Sequence, residues 1–277
     1  MNDLFSERNG LISSIANVYT AEFRSAIVTS FFNQYDTSLE NNKLFGRLND
    51  VMDLFGIEQK PQSNEGASLL ENKRQTLLYF KSCEWNRLFD FIEYVLTVDK
   101  DIEDALIEKY NQIFRLHGCR YRLINGRVVP IVNELEIQQI KKAINTGVDG
   151  TDRAYNEALA LFSNRTNPDY NAVIAKASNA FEAMVVYIAR ENGVSENTLG
   201  KAITELESNG VVFNDDMKAI IKKLYSYACN SGIRHGGTNP VIAKEEDAIL
   251  VLVISAAAIN YLNYYRLDSL SETGDEK

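Results

Sequence analysis

The sequence has few of the residues that build metal sites and disulfide frameworks. Its 277 residues include two histidines and three cysteines. Cys83, Cys119 and Cys229 lie far apart, with no CxxC pair and no histidine cluster beside them. A disulfide framework needs paired cysteines and a zinc site needs closely spaced ligands, so the pattern predicts neither. We expect reduced thiols, a cytoplasmic location, no metal and no other cofactor.

The sequence also lacks the short motifs of several enzyme classes. It contains no P-loop, no GxGxxG after a strand, no GxSxG and no HExxH. Those motifs cradle nucleotide phosphates, present a nucleophilic serine or hold zinc. The pattern therefore argues against nucleotide-dependent, serine-hydrolase and zinc-protease activities.

The overall charge gives no sign of a basic surface that would bind long nucleic acid. The chain has 29 basic and 38 acidic residues, a net charge of −9. Non-specific binding to nucleic acid depends on neutralising phosphates with lysine and arginine. If RNA is bound, we expect the contact to be local, or a partner to offset the acidity.

No long hydrophobic run reaches the length of a membrane span. The apolar segment from Ala248 to Leu262 has fifteen residues without a charge and includes Ser255 and Asn260. A helix needs about twenty apolar residues to cross a bilayer. We therefore predict a buried core helix and no membrane association. The first residues, Met1 to Arg8, are mixed in charge and lead into no compact apolar segment, so we expect no signal peptide.

Helical periodicity dominates the rest of the chain and predicts a mainly α fold. One exception is a β-hairpin at 120–131, because Asn125-Gly126 supplies the positive φ angles of a type I′ turn. The sequence Thr146 to Gly150, TGVDG, marks the predicted boundary. We predict an N-terminal helical domain with this hairpin over 1–147, a C-terminal helical bundle over 148–267 and a disordered tail over 268–277.

Capping residues predict where the helices of the C-terminal half begin and end. Asp169 is expected to cap a long amphipathic helix that ends at Gly193. Asn214 or Asp215 is expected to cap a later one. Asn239-Pro240, followed by acidic residues, predicts the start of the last helix.

Several segments of the C-terminal half occur in an order that resembles a known family. They read Asp169-Tyr170, Ala180-Phe181-Glu182-Ala183, Thr198-Leu199-Gly200-Lys201-Ala202, Lys223-Leu224-Tyr225-Ser226-Tyr227, Gly232-Ile233-Arg234-His235 and Asn260-Tyr261-Leu262. Together they resemble the C-terminal HEPN-like helical bundle of AbiJ-type abortive-infection proteins. The N-terminal part is similar, more loosely, to an N-terminal domain type attached to AbiJ-like domains. Its matching points are Leu4-Phe5-Ser6, Phe23 to Val28, Asp90 to Tyr94, and His117-Gly118 before the hairpin.

The resemblance implies an anti-phage protein that cleaves RNA without a metal, as a homodimer formed through the C-terminal domain. In HEPN proteins an arginine usually precedes a histidine by four to six residues, whereas Arg234 and His235 are adjacent here. The resemblance implies His235 as acid and base and Arg234 as phosphate clamp. Such roles suit an imidazole that titrates near neutral pH and a guanidinium that stabilises a phosphorane.

Other residues are candidates for supporting that site. Glu182 borders an apolar stripe, so we predict that it pairs with Arg234 and orients the loop; the alternative is that it faces solvent. Lys218, Lys222 and Lys223 form a basic strip that would bind RNA phosphate or simply be solvated. Tyr227 would stack on a base or pack in the core, and Asn230 is a polar neighbour of the loop.

Besides an antitoxin-like partner of an adjacent gene product, two functional interpretations stay open. The first is a ribonuclease toxin of the HEPN type. The second is a non-catalytic, dimerising sensor or scaffold of a defence system, which the acidic charge and the adjacent Arg234 and His235 favour. Under either interpretation a protein partner or a phage trigger is expected to control the protein.

Overall fold

The computed structural model describes nine stretches of the chain, residues 20–35, 41–60, 62–98, 103–131, 133–164, 167–194, 198–208, 214–230 and 242–272. For some helical residues, Asn230 among them, only the backbone is described. The described residues form eleven helices and one two-stranded antiparallel hairpin, which confirms the mainly α fold. The chain divides into two compact units, Met1–Ile131 and Val132–Lys277.

The first unit contains five of the helices and the hairpin. In chain order the elements are α1 (Ala21–Asn33), α2 (Asn41–Phe55), α3 (Glu65–Ser82), α4 (Trp85–Val98), α5 (Glu103–Leu116), β1 (Arg122–Ile124) and β2 (Arg127–Val129). Helix α1 packs against α3, α4 and α5. It therefore lies at the centre of this unit.

Aromatic side chains fill the core of the first unit. Phe91 contacts Phe31 edge to face at 5.6 Å between ring centroids and Phe80 at 4.6 Å. Phe55 meets Phe80 edge to face at 5.1 Å. Each ring buries a large apolar area, and these geometries add attraction between ring edges and faces. The aromatic cluster thereby joins α1, α2, α3 and α4.

The hairpin forms at the predicted turn. Asn125 and Gly126 have φ angles of 48° and 72°, and Ile124 pairs with Arg127 across the turn. Both positive φ angles fit a type I′ turn, which matches the right-handed twist of the strands. The paired strands cover 122–124 and 127–129, a shorter stretch than the predicted 120–131.

Two helices hold the hairpin through buried side-chain hydrogen bonds. The amide of Asn111 on α5 donates to the carbonyl of Leu123 at 2.9 Å and accepts from its N–H at 2.8 Å. The carboxylate of Glu93 on α4 accepts from the N–H of Val128 at 2.8 Å. A two-stranded ribbon is only marginally stable by itself. These bonds satisfy strand groups that would otherwise be buried without partners.

The second unit contains the other six of the described helices. They are α6 (Glu134–Ala143), α7 (Asp149–Phe162), α8 (Tyr170–Glu191), α9 (Leu199–Ser208), α10 (Asp215–Asn230) and α11 (Glu245–Glu272). Helix α8 packs against α7, α9, α10 and α11. Its apolar stripe, including Phe181, Met184 and Ile188, is buried.

The predicted ends of α8 are confirmed. The Asp169 carboxylate accepts from the N–H of Ala172 at 2.9 Å, as an N-cap does. Gly193, with φ of 77°, follows the helix in the left-handed conformation that glycine adopts without steric cost. Asn214 also caps α10 as predicted, because its side chain accepts from the N–H of Asp216 at 3.0 Å.

The last helix begins later and runs further than predicted. The predicted start, Asn239-Pro240, lies outside the described residues, and residues 242–244 are not helical. The helix begins at Glu245, where the Asp247 carboxylate accepts from the N–H of Lys244 at 2.9 Å. A carboxylate at this third helical position that bonds back to the cap residue is half of a capping box.

At its other end, α11 reaches Glu272, so residues 268–272 of the predicted disordered tail are helical. No glycine or proline occurs between Glu245 and Gly274. Extending an existing helix adds one backbone hydrogen bond per residue, so the helix continues to Glu272. The rest of the predicted tail, 273–277, lies outside the described residues.

Helices α8 and α11 form much of the core of the second unit. The hydroxyl of Tyr155 on α7 donates to the carbonyl of Leu252 on α11 at 2.6 Å, and both residues are buried. By length and composition alone, Tyr170–Glu191 and Glu245–Tyr264 could each cross a membrane, and about half of each stretch is buried within the structure. The cytoplasmic location stays a prediction.

Helix α6, which the sequence reasoning did not single out, belongs to the second unit. Asn133 caps it, accepting from the N–H of Leu135 at 2.9 Å. The amide of Asn260 on α11 donates to the carbonyl oxygen of Gln139 on α6 at 2.9 Å and to its side-chain oxygen at 2.7 Å. The units divide before α6, whereas the predicted domain boundary at 147 follows it; that boundary stays a prediction.

Replacing Asn111 with alanine should destabilise the protein by about 3 kcal/mol. The change leaves the N–H and carbonyl of Leu123 buried without a partner, and each such group costs roughly 1–3 kcal/mol. Urea unfolding should show this loss. Gln112→Ala, at the next and exposed position of α5, should change stability by less than about 0.5 kcal/mol. Equal losses for the two variants would contradict the role of Asn111.

Candidate functional site

A half-buried carboxylate joins three helices of the second unit. Oε1 of Glu182 on α8 accepts hydrogen bonds from the backbone N–H of Leu199 at 3.4 Å and from the hydroxyl of Tyr225 at 3.3 Å. Leu199 begins α9, and Tyr225 lies on α10. We call these three residues the three-helix junction. Because a helix N-terminus carries partial positive charge, the carboxylate also stabilises the start of α9.

The predicted ion pair between Glu182 and Arg234 stays a prediction, because Arg234 lies outside the described residues. Glu182 is half-buried and contacts two donors on neighbouring helices, so it does not simply face solvent. Sequence reasoning did not identify Leu199 or Tyr225 as its partners. The sequence offered one indication of this contact: Glu182, Leu199 and Tyr225 all lie in the segments that resemble the known family.

An open pocket lies beside the junction. Its volume is about 560 Å³, and its lining comes from α9, the residue before it, and α10: Thr198, Gly200, Lys201, Thr204, Glu205 and Tyr225. This volume lies in the range of small-molecule sites, which spans roughly 300–1,000 Å³. The lining combines hydroxyl groups, one cation, one carboxylate and an aromatic ring. Sequence reasoning did not identify this pocket.

The predicted catalytic residues, Arg234 and His235, lie outside the described residues. The described chain on both sides of them is attached to α8. Before them, Tyr225 bonds to Glu182. After them, the N–H of Ala243 donates to the side-chain oxygen of Asn171, in the first turn of α8, at 2.8 Å. One helix thus fixes both flanks of the segment that carries the predicted site.

Tyr227 lies on α10 and is half-buried. Burial raises the pKa of Tyr227, and the negative charge of Asp247, at the start of α11, raises it further. The phenol therefore stays neutral at physiological pH. The structure does not test whether Tyr227 stacks on a base, and the side chain of Asn230 is not among those described. Both roles stay predictions.

The three lysines of the predicted basic strip differ in their surroundings. The ammonium of Lys218 pairs with Asp215 at 2.8 Å and with Glu207 on α9. The hydrogen bonds that Lys218 donates to Asp215 and Glu207 raise the pKa of Lys218. Lys222 and Lys223 are exposed, and within the described part of the chain neither has a carboxylate in ion-pair range. RNA would compete with two carboxylates at Lys218; RNA binding by the strip stays a prediction.

Comparison with protein families gives a match to the first half of the chain. A family model for AbiJ N-terminal domain 4 matches residues 3–146, just over half of the chain. Comparisons with curated proteins and with solved structures give no match. The matched region ends between α6 and α7, so it does not include the three-helix junction. The HEPN-like character of the remaining helices stays a prediction.

Glu182→Ala should lower the free energy of unfolding by about 1–2 kcal/mol, because the N–H of Leu199 and the hydroxyl of Tyr225 lose their shared acceptor. Glu191→Ala is the matched control. Glu191 lies at the exposed end of the same helix and also accepts from a tyrosine, Tyr187. We expect the control to change stability by less than about 0.5 kcal/mol in urea unfolding.

A double-mutant cycle isolates the bond itself. Combining Glu182→Ala with Tyr225→Phe should cost less than the sum of the two single changes, by roughly 0.5–1 kcal/mol. Strictly additive losses would show that the two side chains do not interact in solution.

Proposed function

This chain belongs to the AbiJ family of abortive-infection proteins, and we propose that its C-terminal helices form a metal-independent ribonuclease that acts as a homodimer. Family membership indicates a role in antiviral defence. The ribonuclease proposal comes from the ordered motifs between Tyr170 and Leu262 that resemble the HEPN-like domain. One structural observation supports it most: both flanks of the segment carrying Arg234 and His235 are attached to α8. Catalytic groups need such a rigid support.

The proposed reaction needs only side chains and the RNA itself. The 2′-hydroxyl of one nucleotide attacks the adjacent phosphorus while the imidazole of His235 accepts its proton. The bond to the 5′-oxygen of the next nucleotide then breaks, and a protonated imidazole, the copy of His235 in the second subunit, supplies a proton to that oxygen. Arg234 stabilises the negative phosphorane. The products are a 2′,3′-cyclic phosphate and a 5′-hydroxyl.

An apolar surface on α11 supports the dimer. Leu250, Val253, Ile254, Ala257 and Tyr261 recur at helical spacing on the face opposite the buried one, and we call them the α11 outer stripe. Leu250 is 58% exposed, and Ala257 is also exposed. No charged residue interrupts the helix between Asp247 and Arg266. A contiguous exposed apolar patch typically marks an interaction surface. Two copies that meet through the same stripe would form a two-fold dimer.

A second function, a dimerising sensor or scaffold without catalysis, is favoured by the charge distribution. The net charge of −9 opposes RNA binding. One lysine of the predicted RNA-binding strip, Lys218, is engaged by two carboxylates. The α11 outer stripe serves this function equally well. The two functions therefore differ in whether RNA is cut.

His235→Ala should abolish RNA cleavage by the purified full chain, with at least about a 100-fold loss of rate, since general acid–base catalysis contributes 10²–10⁴-fold. Gel analysis of total RNA incubated with EDTA present measures the fragments. His117→Gln is the matched control. It removes the other imidazole of the chain, which contacts Phe23 in the first unit, and should leave cleavage unchanged. Fragments that persist unchanged with His235→Ala would overturn the catalytic assignment, and RNA that wild-type protein leaves intact would favour the scaffold.

Ala257→Glu should convert a dimer into monomers, because it places a charge at the centre of the α11 outer stripe. Sedimentation velocity should give the mass of two chains for wild type and of one chain for the variant. Ala105→Glu adds the same charge at an exposed position of α5 and should leave the dimer intact. A monomeric wild type, or a variant that stays dimeric, would contradict dimerisation through α11.

A further inference from the structure

A second pocket lies between α6 and α11 in the second unit. Its volume is about 390 Å³, and we call it the α6–α11 pocket. It is lined by Lys141, Lys142, Asn145, Asn260, Asn263 and Tyr264. The described lining residues thus supply two cations, three amides and one phenol, and no carboxylate is among them. In a chain of net charge −9, this is a locally positive environment.

The two lysines have positive charges that are not neutralised within the described part of the chain. Lys141 is half-buried and Lys142 is exposed, and no described carboxylate lies within ion-pair range of either. The ammonium of Lys142 lies 3.4 Å from the hydroxyl oxygen of Tyr264 and 6.0 Å from its ring centroid. Lys218, by contrast, contacts two carboxylates. Paired lysines without carboxylates attract an anion, and phosphate oxygens are strong acceptors for ammonium groups.

Two asparagines in the lining differ in how their amides are satisfied. Asn260 is 5% exposed, and its NH₂ group donates to both oxygens of Gln139. The side-chain oxygen of Asn263 is buried, and within the described residues no group donates to it. A buried acceptor without a donor is uncommon in folded proteins and needs an explanation. A ligand N–H or O–H group in the pocket would supply that donor once rotation of the Asn263 side chain exposed the oxygen.

We propose that the α6–α11 pocket binds a small phosphorylated molecule with hydrogen-bond donors, of about the size of a mononucleotide. The phosphate would lie against Lys141 and Lys142, and a donor of the ligand would bond to Asn263. The ring of Tyr264 offers a face for stacking. The volume suits this class, because small-molecule pockets span roughly 300–1,000 Å³. The proposal is independent of RNA cleavage, since neither Arg234 nor His235 lines this pocket.

Binding at this position would affect the packing of α6 on α11. Helix α6 lies within the region matched by the AbiJ N-terminal domain, and α11 lies outside it. A ligand that contacts both helices stabilises their folded arrangement, because ligand binding to the native state raises its stability. We therefore expect a rise in the unfolding temperature of the full chain that depends on ligand concentration.

Isothermal titration calorimetry of the full chain tests the proposal with AMP, GMP, CMP and UMP. We expect a dissociation constant of roughly 10–100 μM for at least one of them, a range typical of ligands of this size. The corresponding nucleoside, which lacks the phosphate, should bind at least tenfold more weakly. Ribose 5-phosphate tests whether the base contributes to binding. If it binds as tightly as the nucleoside monophosphates, a sugar phosphate is sufficient as the ligand. Binding of inorganic phosphate alone, or of none of these compounds, would overturn the proposal.

Three variants tie any binding to this pocket. Lys141→Gln combined with Lys142→Gln should weaken binding at least tenfold, and so should Asn263→Asp, which adds a negative charge beside the phosphate. Lys60→Gln combined with Lys109→Gln removes two exposed lysines of the first unit and should bind like wild type. Lys142 is exposed and Lys141 is half-buried, and neither forms an ion pair among the described residues, so the chain should still fold. Wild-type affinity in the Lys141 and Lys142 double variant would show that the ligand binds elsewhere.

Discussion

The burial of α8 is the constraint on which the second unit depends. Its apolar stripe needs cover on several sides, and α7, α9, α10 and α11 provide it. The residues that attach the proposed functional segment, Asn171 and Glu182, both lie on this helix. Helix packing therefore fixes the flanks of that segment before any ligand or partner is present. A change that loosened α8 would disturb the proposed catalytic site and the α11 outer stripe together, because α11 packs directly on α8.

Charge adds a second constraint, because an acidic chain tends to neutralise its own cations. Lys218 illustrates this: its ammonium joins α9 to α10 through Glu207 and Asp215, and it contributes to packing more readily than to anion binding. Two adjacent pairs of lysines, Lys141 with Lys142 and Lys222 with Lys223, have no such partner among the described residues. Anionic ligands should approach these lysine pairs, because the local positive charge attracts an anion even though the net negative charge of the chain repels it. The first pair borders the α6–α11 pocket, which suits a small molecule, and the second lies on an open helix face, which suits an RNA backbone.

Local signals predicted local structure well, and contacts between distant helices poorly. The hairpin turn was predictable because Asn125-Gly126 meets a conformational requirement that few dipeptides satisfy. The start of α11 was predicted too early, because Asn239-Pro240 is a strong local signal for a helix start. The helix begins instead at Glu245, where the Asp247 carboxylate accepts from the N–H of Lys244. Helix α6 was missed although Asn133 is a good cap. Neither the partners of Glu182 nor the α6–α11 pocket could be predicted, since sequence spacing does not say which helices meet in space.

Because Arg234 and His235 are adjacent in the sequence, the proposed reaction depends on the proposed dimer. Side chains at consecutive positions point in different directions: to opposite faces of a strand, or about a quarter turn apart on a helix. In either conformation, one chain would direct the two groups to different sides. A two-fold axis relieves this difficulty, because the arginine of one subunit can meet the histidine of the other. The α11 outer stripe begins with Leu250, one turn into the helix that follows the Arg234-His235 segment. Association through that stripe is thus the step that would assemble a composite site, and a monomer would hold an arginine and a histidine without a shared substrate.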